Sequence, residues 1–257
     1  MIYDKKHIEL FEGSFGIKES DFASENEYAS AVCERTVGFS RAVIDGLPNV
    51  KTEIDEMYEL FALLKELKSD ERWGLFVKWI RETDRFDFSM HPVHGFPHTA
   101  RCGFYQFAMG IKLGVDEKTL RLMVLAGLYH DIGRTDDEFD VVHGRAAALM
   151  LPSLFPELSK DELSILQAAV HTHCFPEPYD ESMWYEYIDN RLTDECRFVA
   201  ESLRAADSLD YMRLGISGYD DKYLHSDTAR KMILCAFEAN LLFAKFPEIY
   251  KKVFLQR

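Results

Sequence analysis

The 257-residue sequence predicts an all-α fold, and three observations carry that expectation. Apolar residues recur at three- and four-residue steps along most of the chain. Strand-like alternation is scarce, and Gly and Pro gather at the ends of the periodic stretches rather than inside them. Hydrophobic residues make up 47% of the chain and aromatic residues 13%, which is too much apolar surface for a disordered chain. At this length roughly 75% of the unfolded surface can be buried, so one large domain, or a core with an accessory part, needs no disulfide or metal to fold.

The first helix is expected over 50–68, where Val50, Ile54, Met57, Phe61 and Leu64 share one face. A second, with Trp73, Phe76, Val77 and Ile80, follows the break at Ser69-Asp70. Residues 1–89 therefore read as an N-terminal helical extension, and 90–257 as the main domain. Pro97 suits the first turn of a helix that ends near Gly114. Asp116 can cap a helix carrying Leu120, Val124 and Leu128 on one face. Ser159 and Glu162 have the spacing of a capping box, and Leu158 and Leu163 that of a hydrophobic staple. Thr193 can cap a helix running through Phe198, Leu203 and Leu209 toward Gly215. A last helix is expected over about 228–246, ahead of Pro247.

Charge and cysteines narrow the function classes. Thirty Lys+Arg against 44 Asp+Glu give a formal net charge of -14, which argues against long nucleic acid or anionic lipid, both gripped by basic residues. The five cysteines, at 33, 102, 174, 196 and 235, are scattered and form no CxxC pair. That pattern argues against a disulfide framework or a Cys-rich zinc site and for a reducing, cytoplasmic setting. The segment MIYDKKHIEL lacks the apolar core of a signal peptide, and the longest apolar stretch, Leu122 to Tyr129, is far short of the roughly 20 residues that span a bilayer.

The histidines carry the chemistry. Seven of the nine lie between positions 91 and 173. His130-Asp131 closes an apolar helix, His98 falls in the first turn of another, and Asp207 sits on an otherwise apolar face beside Leu203 and Ala206. A carboxylate among core positions is costly unless it is paired or bound to a metal. Two imidazoles and two carboxylates make a mixed nitrogen and oxygen ligand set, suited to Mn, Fe, Co, Zn or Mg rather than to a thiolate-seeking ion.

The segments HGFPHTAR, LAGLYHDIGRTDDEFDVVHGRAAA and LRAADSLDYMRLG resemble, in order and spacing, the H…HD…D signature of the HD-domain superfamily of metal-dependent phosphohydrolases. The resemblance covers roughly residues 90–215 and implies an HD-type helical bundle. It implies His98, His130, Asp131 and Asp207 as ligands of a divalent cation (Mn, Fe, Co, Ni, Zn or Mg), with His98 preferred over His94 because the superfamily's first His opens a helix. His143 and His171 resemble the extra histidines that hold a second ion in two-metal members; in one-metal members such histidines face the substrate phosphate. One or two ions are thus both open. His173 is expected at a helix end, facing solvent.

Arg134, directly after HDIG, is the leading phosphate-binding residue, since a guanidinium matches phosphate oxygens in a bidentate fork. Arg101 and Arg145 are weaker candidates. Arg204 is placed to orient Asp207, while Asp136, Asp137 and Asp140 read as a solvated loop that could supply a general acid. The chain lacks the paired His-His-Glu and Gly-Tyr-Pro elements of the cyclic-dinucleotide phosphodiesterases, and reads HDIGRTDD where alarmone hydrolases carry an HDxxED-like run. The expectation is hydrolysis of a small phosphoester, such as a nucleotide monophosphate, by metal-activated water. Asp131, Arg134 and His143 would carry catalysis, and Arg134, His143 and His171 would hold the substrate. Two rivals are an oxygenase with a diiron pair, which would use the same positions, and a non-catalytic ligand-sensing module.

Overall fold

The computed structural model describes residues 19–21, 23, 59–83, 94–136, 140–176, 180–214, 224–245 and 254. Every regular element among them is helical and none is a strand, so the fold is all-α. The chain forms two compact units. One is Lys78–Asp207; the other combines Met1–Val77 with Ser208–Arg257. The division expected at 89/90 falls on residues outside the described ones, and in this grouping the C-terminal helix belongs with the first helices of the chain.

In the second of these units, α1 (Glu59–Lys68) is the described part of the helix expected over 50–68; residues 50–58 lie outside the described residues. It buries Leu60, Leu63, Leu64 and Leu67. Asp70 closes the following turn by accepting from the Arg72 backbone N–H at 2.9 Å. Helix α2 (Trp73–Thr83) begins there, with Trp73, Phe76, Val77 and Ile80 buried on the face that the spacing selects. The last helix is not continuous as expected. A single turn, α8 (Asp227–Arg230), is capped by Ser226, and the chain re-enters helix at α9 (Ile233–Lys245). Between them the Met232 N–H bonds to Ala229 O, three residues back, and this tighter turn breaks the α-helical register. Helix α9 lies against α1.

The Lys78–Asp207 unit is built from paired helices. Helix α3 (Phe96–Leu113) starts with Pro97 in its first turn and stops at Gly114, whose left-handed φ of 65° lets its N–H return to Gly110 O and Ile111 O. Asp116 caps α4 (Glu117–Tyr129) by accepting from the Thr119 N–H at 2.7 Å. Helices α3 and α4 pack on one another, as do α5 (His143–Leu154) and α6 (Lys160–Thr172), with α4 also meeting α6. Ser159 and Glu162 form the full capping box at the start of α6, an arrangement worth about 1 kcal/mol.

Pro152 lies inside α5 and cannot donate to Ala148 O; the Gln167 amide of α6 does so instead, at 2.9 Å. Helix α7 (Thr193–Leu209) ends sooner than expected and tightens into a 3₁₀ turn over Asp210–Leu214. Thr193 opens it, but its hydroxyl donates back to Asn190 O rather than capping the helix. Among the described residues, no helix is long and apolar enough to cross a membrane, and the four described cysteines form no disulfide with one another.

Candidate metal centre

Four helices of the Lys78–Asp207 unit deliver their ends to one carboxylate. His130 and Asp131 follow the last residue of α4, His98 lies in the first turn of α3, His143 opens α5, and His173 is the C-cap of α6. Close backbone approach makes this convergence possible. A Cβ on Gly127 would stand 2.8 Å from the Cys102 carbonyl, so only glycine lets α4 lie this close to α3. A Cβ on Gly133 would fall 2.4 Å from His143 O and 2.3 Å from Ala147 N, which pins the turn after Asp131 to the first turn of α5. The glycine of the HDIG segment is thus a packing requirement.

Asp131 is 4% exposed, and its two oxygens face two different groups. On the Oδ2 side, His98 Nε2 and His130 Nε2 each lie at 3.4 Å. Those two nitrogens are 3.1 Å apart, and Asp207 Oδ1 stands 3.4 Å from His98 Nε2. On the Oδ1 side, His143 Nε2 lies at 3.2 Å, His173 Nε2 at 3.6 Å and Arg134 Nε at 3.0 Å. The two imidazole nitrogens of that side are 3.0 Å apart.

Three of the four rings are fixed by the backbone. His130 Nδ1 lies 3.0 Å from Gly127 O, His143 Nδ1 2.9 Å from Asp140 O, and His173 Nδ1 2.6 Å from Val170 O. A carbonyl only accepts, so each Nδ1 must carry a proton, and Nε2 is left as the atom that can take up a second proton or hold a metal. Arg204 braces the chain at the end of α6, around His173. Its guanidinium donates to Thr172 O, His173 O and Phe175 O at 2.9–3.1 Å, satisfying the open end of α6. Arg204, which the sequence places behind Asp207, also reaches the His173 carbonyl.

The electrostatics follow from this crowding. Burial alone would raise the Asp131 carboxyl, but the charge and hydrogen bonds of His130, with His143 and His173, hold it well below the usual carboxylate range. Burial works against a charged His130, yet Asp131 and Asp207 together raise it. His173 gains less from Asp131 and is pushed down to about 4 by burial, so it is neutral near pH 7.

The site therefore brings together His98, His130, Asp131, Asp207, His143 and Arg134 of the expected residues. It does not include His171, and the place expected of that residue belongs to His173. The two are a helical 200° apart, so only one can face Asp131. His171 instead lies edge-on to Phe175 and Tyr187, and its buried Nδ1 has no hydrogen-bond partner. Burial lowers its pKa. His173 is 7% exposed rather than solvent-facing. A signal was present: it continues the buried stripe of Leu166 and Val170 at steps of four and three.

His94 is edge-on to His98, with ring centroids 6.0 Å apart. Arg101 is buried within α3, Arg145 pairs with Glu186 at 3.6 Å on the surface, and Asp137 lies outside the described residues. Sequence reasoning also passed over two thiols. Cys102 lies with His98, His130 and Asp207 in a group whose donor atoms are all within 4.8 Å of one another, and Cys174 does the same with His143 and His173. Burial pushes the Cys174 thiol up to about 11.

The donor set fits a metal. In the His143–His173 pair, two lone pairs point at each other across 3.0 Å, which is repulsive unless a proton or a cation lies between them. Two imidazoles at right angles on one ion, with metal–nitrogen bonds of about 2.1 Å, are separated by about 3.0 Å. Buried His, Asp and Cys side chains that can hold a metal ion are thus a plain feature of this chain. No family model, curated protein or solved structure matches it.

Proposed function

We propose that this chain is a metal-dependent phosphohydrolase of the HD type, with one cation on each side of Asp131. The observation that carries the reading is the pair of imidazole couples, at 3.1 and 3.0 Å, on the two oxygens of a single buried carboxylate. His98, His130, Asp131 and Asp207 would hold the first ion, and Asp131, His143 and His173 the second. Bound divalent ions there supply the Lewis acidity that turns water into a nucleophile near neutral pH and neutralises phosphoryl oxygens.

The chain's own residues do the rest. Asp131 joins the two imidazole groups and, staying ionised, would offset the charge of the cations they hold. Gly127 O, Asp140 O and Val170 O hold the imidazoles in the tautomer that leaves Nε2 available. Arg134, whose Nε donates to Asp131 Oδ1, holds a guanidinium beside the carboxylate, and a substrate phosphate would be its second partner. Its charge and the cations would give an acidic protein a local site for a small anion.

The test is metal analysis of protein purified without chelator, followed by a panel of small phosphoesters with Mn, Fe, Co, Ni, Zn and Mg. Up to two ions per chain and release of inorganic phosphate or phosphomonoester are expected. Oxygen uptake with an organic substrate and no phosphate release would replace the reading by the oxidative one. Saturable binding without turnover under every metal would replace it by the sensing one.

A further inference from the structure

We infer that Arg134 sets the order in which the two cations bind. Its guanidinium shares Asp131 Oδ1 with the ion on the His143 side, so that ion binds in a second, weaker step and tightens when an anion offsets the arginine. The inference rests on the metal-binding reading above and concerns what this chain's own cation does to it. A turn brings Arg134 back to the carboxylate. Its backbone N–H donates to Asp131 O at 3.0 Å, and its Nε donates to Oδ1, also at 3.0 Å. The two side chains are 10% and 2% exposed, so water and salt screen the pair little.

His143 Nε2 lies 3.2 Å and His173 Nε2 3.6 Å from that same oxygen. An ion bonded to Oδ1 at about 2.1 Å would lie no more than about 5.1 Å from Arg134 Nε, because that nitrogen is 3.0 Å from the oxygen. A divalent ion and a guanidinium this close in a buried site repel one another. They also divide between them the lone pairs of one carboxylate oxygen.

The His98 side is balanced differently. Asp131 turns Oδ2 to that side, and Asp207 adds a second carboxylate, with Oδ1 3.4 Å from His98 Nε2. On the His143 side Asp140 faces the other nitrogen of the ring, with Oδ2 3.8 Å from Nδ1, so the imidazole stands between its charge and an ion on Nε2. The first ion therefore meets two carboxylates; the second meets one carboxylate and a cation. A phosphate oxygen accepting from Arg134 would supply the missing charge. Anion and second ion should then strengthen each other's binding by the same factor.

Titration of the metal-stripped full chain with Mn(II), read as free Mn(II) by electron paramagnetic resonance, tests this without turnover. The parent should bind two ions in steps at least about 10-fold apart, and Arg134→Gln, which keeps a donor and drops the charge, should tighten the second step by about 10–100-fold, the size of effect that outer groups have on metal sites. The first step should not move. Arg134→Lys, which keeps the charge, should leave the second step weak. Inorganic phosphate should tighten that step in the parent and do so much less in Arg134→Gln. A gain in affinity cannot come from a variant that misfolds, and the two steps of the parent need no variant. Equal steps in the parent, a second step that is not tightened in Arg134→Gln, Lys and Gln variants that behave alike, or an equal phosphate effect in parent and Arg134→Gln overturns the role of Arg134 and leaves the metal reading standing. Failure of the parent to bind Mn(II), Co(II) or Zn(II) overturns both.

Discussion

Asp131 and Glu238 are carboxylates of the two separate units, both placed where burial opposes their charge, and they resolve that conflict in opposite directions. Around Asp131, burial is outweighed by the imidazoles of His130, His143 and His173, which hold the carboxyl well below the usual range. Around Glu238, on α9, burial prevails and pushes the carboxyl up to about 7, despite hydrogen bonds from the backbone N–H of Leu60 at 2.7 Å and of Glu59. Two neutral amide donors do not compensate for lost hydration; a ring of cationic or protonatable donors does. A buried carboxylate alone says little about function. One that stays charged because nitrogens converge on both its oxygens marks a centre built for charge.

The severest way to break this comparison is Asp131→Asn. The substitution keeps the shape but removes the charge that both imidazole pairs face. Metal content should drop from about two ions per chain to well under one, and phosphoester turnover should be lost with it. Retention of parental metal would show that the imidazoles bind without the carboxylate and that its ionisation is incidental.

Next in size is the pair His173→Ala and His171→Ala. The first should remove one ion and leave the one on the His98 side; the second should leave metal content unchanged. A loss in His171→Ala equal to that in His173→Ala would mean that α6 presents its other face to the centre. This pair also shows where the sequence stops being legible. Helix positions and several caps can be read because each rests on local rules: a Pro in a first turn, an Asp three residues before the N–H it caps. The grouping of His98, His130, Asp131 and Asp207 is suggested by the resemblance of three segments to the H…HD…D signature, with Asp207 on an apolar stripe as its one local sign.

The choice between His171 and His173 depends on how α6 is rolled against α5, and that roll is set by tertiary contacts. Gln167 reaches across to Ala148 O, and Gly144 lies so close to His171 O that a Cβ there would stand 2.6 Å away. Neither is visible as a pattern along the chain. The place of Cys102 beside His98 was within reach of sequence reasoning, four residues along the same helix, but an odd, scattered set of cysteines hides it. The broken C-terminal helix was not, because no Pro or Gly marks Lys231–Met232.

A smaller effect is expected of Arg204→Ala. It leaves every ligand in place but strips the carbonyls of Thr172, His173 and Phe175 of their donor, so the end of α6 loses definition. Affinity for the ion on the His143 side should fall by about 10-fold, the low end for groups supporting a ligand. The melting temperature should fall by about 2–4 °C, the shift that corresponds to roughly 1 kcal/mol in a chain of this size. An unchanged metal affinity with a lowered melting temperature would make Arg204 a helix cap and nothing more.

The smallest expected effect lies at Glu238, and it carries the pH dependence. Its carboxyl is raised from an ordinary value of 4.5 to about 7 in the folded chain, so between those limits the folded state holds more protons than the unfolded one. Stability then falls as pH rises through that window and is constant on either side as far as this group is concerned. Glu238→Gln keeps an acceptor for the Leu60 N–H and cannot ionise. It should leave the melting temperature unchanged near pH 4 and raise it by about 1–2 °C at pH 8, a modest gain because the side chain is only partly shielded from water. Metal content should not move, since the residue belongs to the other unit. A melting-temperature difference that does not vary with pH would show that Glu238 stays ionised, in which case two backbone amides suffice to hold a buried carboxylate charged and the contrast with Asp131 disappears.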